Sequence, residues 1–301
     1  MNVSHILVSI LYIIVYLLAL LPLSVLYAFS SFLYLIVYYI VRYRRKVVRK
    51  NLINSYPEKS TKEIISLEKR FYLHFCDLFV ETFKLTNISP TTMLKHFEFK
   101  NIQVLDELYE NNQSMVLYLG HYGNWEWTTF ARAAQPKEHH HEYKSYSVYH
   151  PLNSVAFDEF MLKLRSKSGS VLIPQKKVLR TILELKRSNT PAFFCFIADQ
   201  NPKKGSEAFW MEWLNQTTAP IVGPEKIARQ TGYTAVYLDI QKTKRGHYTG
   251  EFIIMSEDVA SLPENELSKQ YMRLMEETIN RDPAYWLWSH RRWKRQPKKE
   301  V

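Results

Sequence analysis

From residue 6 to residue 41 the chain contains no Asp, Glu, Lys or Arg. These 36 uncharged positions, aliphatic and rich in tyrosine, constrain the fold more than any other feature. A continuous helix of that length runs to about 54 Å, well over the roughly 30 Å hydrocarbon core of a bilayer. Two full spans with a turn between them need more residues than this. Pro22 lies near the middle, has no N–H to donate, and predicts a kink. The segment therefore reads as one spanning helix that reaches or passes Pro22. Tyr27, Tyr34, Tyr38 and Tyr39 would then lie near an interface, where Tyr is favoured. Ala28-Phe29-Ser30 resembles a signal-cleavage site, but no Lys or Arg precedes the run and it is far longer than a signal core. Arg42, Arg44, Arg45, Lys46, Arg49 and Lys50 follow at once. By the positive-inside rule they place the rest of the chain in the cytoplasm, and the same cluster can hold anionic headgroups. The expected organisation is a membrane anchor over 1–41 and a cytoplasmic body over 42–301.

Within that body, Ser60 and Glu63 fit a capping box, and Ile64, Leu67, Phe71, Phe75, Leu78 and Phe79 continue it as a helical stripe. His74 lies beside the stripe and reads as a packed or surface histidine. From residue 114 the pattern alternates. Strands are predicted over 114–120, 145–149, 170–173, 192–198, 234–240 and 250–255. Helices are predicted over 124–134, 153–169, 177–188, 223–232 and 265–279. The fold class is α/β: an N-terminal transmembrane helix, then a layered α/β domain with a mainly parallel or mixed sheet. Cys76 and Cys195 are the only cysteines, each in an apolar stretch, and read as reduced core residues. Forty Lys and Arg against 29 Asp and Glu give a net charge of +11, which points to anionic partners.

"LGHYGNWEW", residues 119–127, places His121 just past an apolar run and Glu126 five positions on, with two of only 8 glycines flanking the histidine. On a regular helix a five-residue separation puts side chains about 140° apart. If a helix starts near Asn124, a good N-cap residue, His121 stays on the loop and Glu126 falls in the first turn. The glutamate can then fold back to orient the imidazole and raise the basicity of its far nitrogen. Backbone N–H groups at the helix start would be available to a developing oxyanion. The other reading is equally open at this point: a first-turn acid complements the helix dipole, and a loop histidine is often only a polar surface residue. There is no G-x-S-x-G elbow, no P-loop and no dinucleotide glycine motif. The histidine, if it acts, does so without a protein nucleophile, as a general base that activates a hydroxyl.

"GHYGNWE" resembles the H-x4-D/E motif of membrane-associated acyltransferases, in the version found in the lipid A biosynthesis late acyltransferases (the lauroyl and myristoyl transferases). "NLINSYPEKS", "YHPLN" followed by Arg165, "ADQNPKKG" and "DPAYWLWSHRRWKRQP" resemble further segments of that family in the same order. The resemblance covers nearly the whole chain. It implies transfer of a fatty acyl group from acyl carrier protein to a hydroxyl of a lipid A precursor at the inner membrane, on the cytoplasmic side. His121 and Glu126 would be catalytic, and Asn124, Asn153, Arg165, Asp199 and Gln200 would lie near the substrates. The chain departs from the family at His150, where arginine is frequent. No bound cofactor or metal is expected, because the phosphopantetheine arm arrives on the carrier. The tail interleaves Arg291, Arg292, Lys294, Arg295, Lys298 and Lys299 with Trp286, Trp288 and Trp293, a composition suited to an anionic membrane surface rather than to nucleic acid. His290 reads as structural. Residues 138–142, "EHHHE", read as a solvated loop, since three consecutive histidines do not easily face one metal ion. Two alternatives remain open: an acyltransferase for another glycolipid or an aminolipid, and a non-catalytic protein that binds anionic lipid.

Overall fold

The structure is a computed structural model that describes residues 3–135, 144–152, 154–165 and 169–297. The uncharged run forms two helices instead of one. α1 (Val3–Leu20) ends before Leu21, and α2 (Leu23–Leu35) starts after Pro22 and runs on as a π-helical segment, Ile36–Val41. Pro22 takes an extended conformation (φ −56°, ψ 149°), so the chain breaks there instead of kinking within one helix. Among the described residues, the one helix long and apolar enough to cross a membrane is the 19-residue stretch Leu23–Val41, with a mean hydropathy of 1.8.

This helix is packed onto the body. The Tyr27 hydroxyl donates to Glu81 (2.8 Å) and the Ser30 hydroxyl to Asp77 (2.7 Å), both on α4 (Thr61–Lys84). The capping box expected at the start of α4 is present, with Ser60 and Glu63 satisfying each other's backbone N–H groups. Between α2 and α4 lies α3 (Arg45–Ser55), which the sequence patterns missed. Part of the basic cluster turns inward here: Arg45 (3.0 Å) and Arg49 both pair with Glu68, a buried carboxylate of α4.

The remaining elements build one layered domain. In chain order they are α5 (Pro90–Leu94), β1 (Phe97–Phe99), α6 (Gln103–Glu110), β2 (Met115–Leu119), α7 (Ala131–Ala134), β3 (Lys144–Tyr149), α8 (Val155–Arg165), β4 (Val171–Pro174), α9 (Val178–Arg187) and β5 (Ala192–Ile197). A short hairpin of β6 (Met211–Trp213) and β7 (Gln216–Thr218) follows. Then come α10 (Gly223–Thr231), β8 (Thr234–Lys244), β9 (His247–Ser256) and α11 (Glu266–Arg281). Seven strands form a mixed sheet in the order β1-β9-β8-β2-β5-β3-β4. The five from β8 to β4 are mutually parallel, β9 runs antiparallel to β8, and β1 parallel to β9. β2 is buried at every position, the pattern of a central strand covered on both faces. α11 lies on the sheet with Leu267, Tyr271, Met272, Met275 and Ile279 buried. Gly232 ends α10 in the left-handed conformation (φ 73°), as a C′ glycine does.

One predicted helix is much reduced. Residues 124–134 form a turn, a 3-10 segment (Trp127–Phe130) and the single turn α7. The Trp127 N–H is taken by the Asn124 side chain (3.1 Å), and no regular helix start faces His121 there. The Asn124 side chain thus holds the first N–H of a 3-10 turn, not of the regular helix expected there. The apolar residues that suggested a helix are used differently: Trp127 and Phe130 are buried in the core.

Candidate active site

The register of two parallel strands creates the site. β2 and β5 are neighbours in the sheet with Leu119 opposite Ile197. Two residues beyond each strand, at the carboxyl edge where α/β sheets present functional groups, stand His121 and Asp199. The Asp199 carboxylate takes the His121 ring Nδ1–H at 2.7 Å and the His121 backbone N–H at 2.9 Å. Trp286 Nε1 donates to the same carboxylate at 2.7 Å. With Nδ1 committed to Asp199, the lone pair of the neutral imidazole lies on Nε2. Burial alone would raise the Asp199 carboxyl. The His121 charge and the hydrogen bonds from His121 and Trp286 outweigh it and hold the group down at about 2.

The loop carrying His121 is clamped by the C-terminal segment. Tyr122 and Trp286 form an isolated antiparallel bridge, Gly123 N–H donates to Tyr285 O (3.0 Å), and Leu287 N–H donates to His121 O (3.1 Å). The Tyr271 hydroxyl caps Leu119 O at 2.9 Å. The two flanking glycines differ in what a side chain would meet. A Cβ on Gly120 would lie 2.3 Å from the Met275 thioether. Gly123 has φ +57°, and its Cβ would meet Ile240 at 2.9 Å.

The acid expected to orient His121 is elsewhere. Glu126 forms a bidentate pair with Arg165 at the end of α8: Arg165 Nε donates to Glu126 Oε2 at 2.7 Å, and Nη2 donates to Oε1. The orienting carboxylate is Asp199, which the sequence placed only near the substrates. The physical reason is local. Without a helix starting at Asn124, Glu126 has no fold-back geometry toward the imidazole, and a planar guanidinium fits its carboxylate.

Asn124 is likewise placed differently from the expectation of a substrate contact. It is fully buried, donating to Glu81 Oε2 (2.6 Å) and accepting from Trp127 N–H. Gln200 stands beside His121, its Nε2 lying 3.3 Å from His121 Nε2 and 3.4 Å from Nδ1. Trp125 packs edge-on against the imidazole at 5.1 Å between centroids. Asn153 and the Glu138–Glu142 histidine run lie outside the described residues. His150 is exposed and bonds Pro151 O through Nδ1 (2.9 Å). His290 is partly buried within the tail, its ring nitrogen pushed down to about 4 mainly by burial.

Residues missed by sequence reasoning sit behind the loop. Glu81 accepts from Tyr27, Asn124 and Tyr248 (2.9 Å), and its backbone carbonyl takes the Trp127 indole N–H (3.1 Å). Burial, followed by the like charge of Asp77, raises it to about 7, although Lys242 and the hydroxyl donors pull the other way. The available signal was the spacing Asp77–Glu81, two acids four residues apart that share one face of a helix.

An imidazole oriented by a buried carboxylate at the ends of adjacent parallel strands suits an enzyme that draws a proton from a substrate hydroxyl. The chain matches the family model described as bacterial lipid A biosynthesis acyltransferase over residues 2–295, and it belongs to that family. It is an acyltransferase of lipid A biosynthesis. It is similar to the lipid A biosynthesis palmitoleoyltransferase of Escherichia coli (strain K12), 22% identical over 260 residues that span 84% of this chain and 80% of the relative. The same identity and coverage relate it to the lipid A biosynthesis acyltransferase of Shigella flexneri.

Proposed function

We propose that this chain transfers a fatty acyl group from acyl carrier protein to a hydroxyl of a lipid A precursor, with His121 as the general base. The observation that carries this reading is the His121–Asp199 pair, which puts the lone pair of the neutral imidazole on Nε2, where it can accept a proton. The acceptor hydroxyl gives its proton to Nε2 as its oxygen attacks the thioester carbonyl carbon. The tetrahedral intermediate then expels the thiolate of the carrier's arm, which takes the proton back from the imidazolium. Asp199 stabilises that imidazolium and fixes the tautomer. The Gln200 amide, beside Nε2, is placed to donate to the carbonyl oxygen as its charge grows. Glu126 acts through Arg165, holding the guanidinium beside the substrate.

The apolar helix Leu23–Val41 and the cationic residues after it support an inner-membrane location with the body on the cytoplasmic side. The net charge of +11 suits encounter with an acidic carrier protein. The test is acyl transfer from radiolabelled acyl carrier protein to a lipid A precursor by wild type and by His121→Ala, each shown to be folded in the membrane fraction. Transfer by wild type that is lost in the variant supports both the reaction and the base. Transfer undiminished in the variant would falsify the assignment of His121. Transfer by wild type only to another glycolipid or an aminolipid would move the acceptor.

A further inference from the structure

Four of the six cations after the apolar helix lie on α3, and they divide between two of its sides. Arg45 and Arg49 both face Glu68, whose carboxylate offsets one of their two charges. Lys46 and Lys50, four residues apart and so on one face, are exposed and have no ion-pair partner among the described residues. That face and the C-terminal tail enclose a groove of about 370 Å³, whose tail side supplies Arg291 and Lys294. Among its described lining residues there is no Asp or Glu. Four cationic side chains around a small concavity, with no carboxylate to offset them, form a site for a multiply charged anion.

The rest of the lining narrows the ligand. Asn54 and Gln216 wall the groove and hydrogen-bond each other at 3.1 Å, and the Trp293 ring lies alongside. Amide groups and an indole next to cations are the partners of a phosphorylated sugar: the amides meet hydroxyls, the ring meets an apolar sugar face, and the cations meet phosphate. The volume suits a sugar phosphate and is too small for a protein helix about 10 Å across. Position agrees, because α3 begins just past the end of the apolar segment at Val41, the level at which a lipid headgroup lies.

The groove is also joined to the reactive centre. Residues 286–294 hold Asp199 through Trp286 at one end and line the groove through Arg291, Trp293 and Lys294 at the other. Asn201, two residues past Asp199, donates to Arg291 O at 2.8 Å, and Asn51 of α3 donates to Trp288 O and His290 O at 2.9 Å each. We propose that this groove binds the phosphorylated sugar of the acceptor glycolipid and thereby sets which hydroxyl reaches His121. The inference rests on the acyltransfer reading only for the identity of the lipid that carries the sugar phosphate.

The experiment has two arms on the full-length protein in nanodiscs. In the first, saturation-transfer NMR follows glucose 1-phosphate, inorganic phosphate and glucose with wild type and with Lys50→Glu/Lys294→Glu, whose side chains are exposed. Binding is expected to be strongest for glucose 1-phosphate, weaker for free phosphate and lost in the variant. No binding by wild type, binding undiminished in the variant, or free phosphate equal to the sugar phosphate overturns the proposal. In the second arm, the variant should raise the acceptor KM about tenfold or more, the scale of one charge-assisted hydrogen bond, with the carrier KM unchanged. A rise confined to the carrier KM would assign the groove to an acidic protein and overturn it. If wild type transfers no acyl group to a lipid A precursor, the first arm still decides the groove, so the two failures are distinguishable.

Discussion

Two fully buried carboxylates on opposite sides of the same loop titrate in opposite directions. Asp199 holds the front of the loop through His121, and Glu81 holds the back through Asn124. Asp199 is held down at about 2 although burial opposes it, whereas burial raises Glu81 to about 7. Both accept three side-chain or backbone donors. The difference lies in the balance against burial: Asp199 has the His121 charge and its hydrogen bonds to offset it, while at Glu81 the pull of Lys242 is countered by the like charge of Asp77, and burial prevails. Burial raises both carboxylates; at Asp199 the His121 charge and the hydrogen bonds outweigh it, whereas at Glu81 the opposing groups do not.

The largest expected effect comes from breaking the Asp199 side. Asp199→Asn retains shape but removes the charge that stabilises the imidazolium, so kcat for acyl transfer should fall on the order of 10³-fold. His121→Ala should fall at least as far, and the double variant little further, because the two act as one unit. A double variant much slower than either single would show that they act separately.

Smaller in rate but larger in its pH signature is Glu81→Gln. A carboxyl raised in the folded state favours folding fully below its ordinary pKa of 4.5, and that advantage is lost as pH rises through about 7. The swing is of order 3 kcal/mol. Asp199 has the opposite sign: its stabilisation, about 2 kcal/mol, is present above the ordinary pKa of 3.8 and lost as pH falls through about 2. Denaturant unfolding in detergent between pH 4 and 8 should thus show stability falling with pH in wild type and a flatter profile in Glu81→Gln. Equal slopes would remove Glu81 as the titrating group.

The contrast also explains what could be read from the sequence. His121 was visible because its motif is contiguous, with a following glycine, Gly123, whose positive φ favours that residue. The capping box at Ser60 and the terminal glycine at Gly232 were visible for the same reason. The α/β class and the mixed sheet followed from alternation of elements. The partner of His121 was not legible, because it depends on strand order: β5 lies next to β2, although β3 follows β2 in the chain. Glu126 is closer in sequence and matches the motif, yet its carboxylate is taken by Arg165 from a helix whose approach no local pattern encodes. Glu81 was hidden because an acid off the apolar stripe of a helix looks like a solvated residue until Tyr27, Tyr248 and Asn124 arrive from three other segments.

Glu126 and Arg165 test whether proximity or contact governs the site. Each side chain is half of one bidentate pair, so Glu126→Ala and Arg165→Ala should slow transfer by similar amounts, about tenfold to a hundredfold, with the double variant no worse. A much larger loss for Glu126→Ala than for Arg165→Ala would restore a direct role for the glutamate at the imidazole.

The finest test removes one neutral donor from each carboxylate. Trp286→Phe keeps a buried aromatic ring but deletes the N–H on Asp199, and Tyr248→Phe deletes the hydroxyl on Glu81. Both bonds stabilise the ionised form, so both variants should raise their carboxylate by about one unit, or about 1 kcal/mol. The consequences differ. For Trp286→Phe, Asp199 stays ionised near neutral pH, so transfer at pH 7 should fall only several-fold, and the acid limb of the stability curve should move upward. For Tyr248→Phe, Glu81 is pushed past neutrality, so the pH at which stability declines should move up while transfer changes little. The same chemical deletion would then appear in rate on one side of the loop and in stability on the other, because of the two carboxylates Asp199 is the one that touches the proposed base.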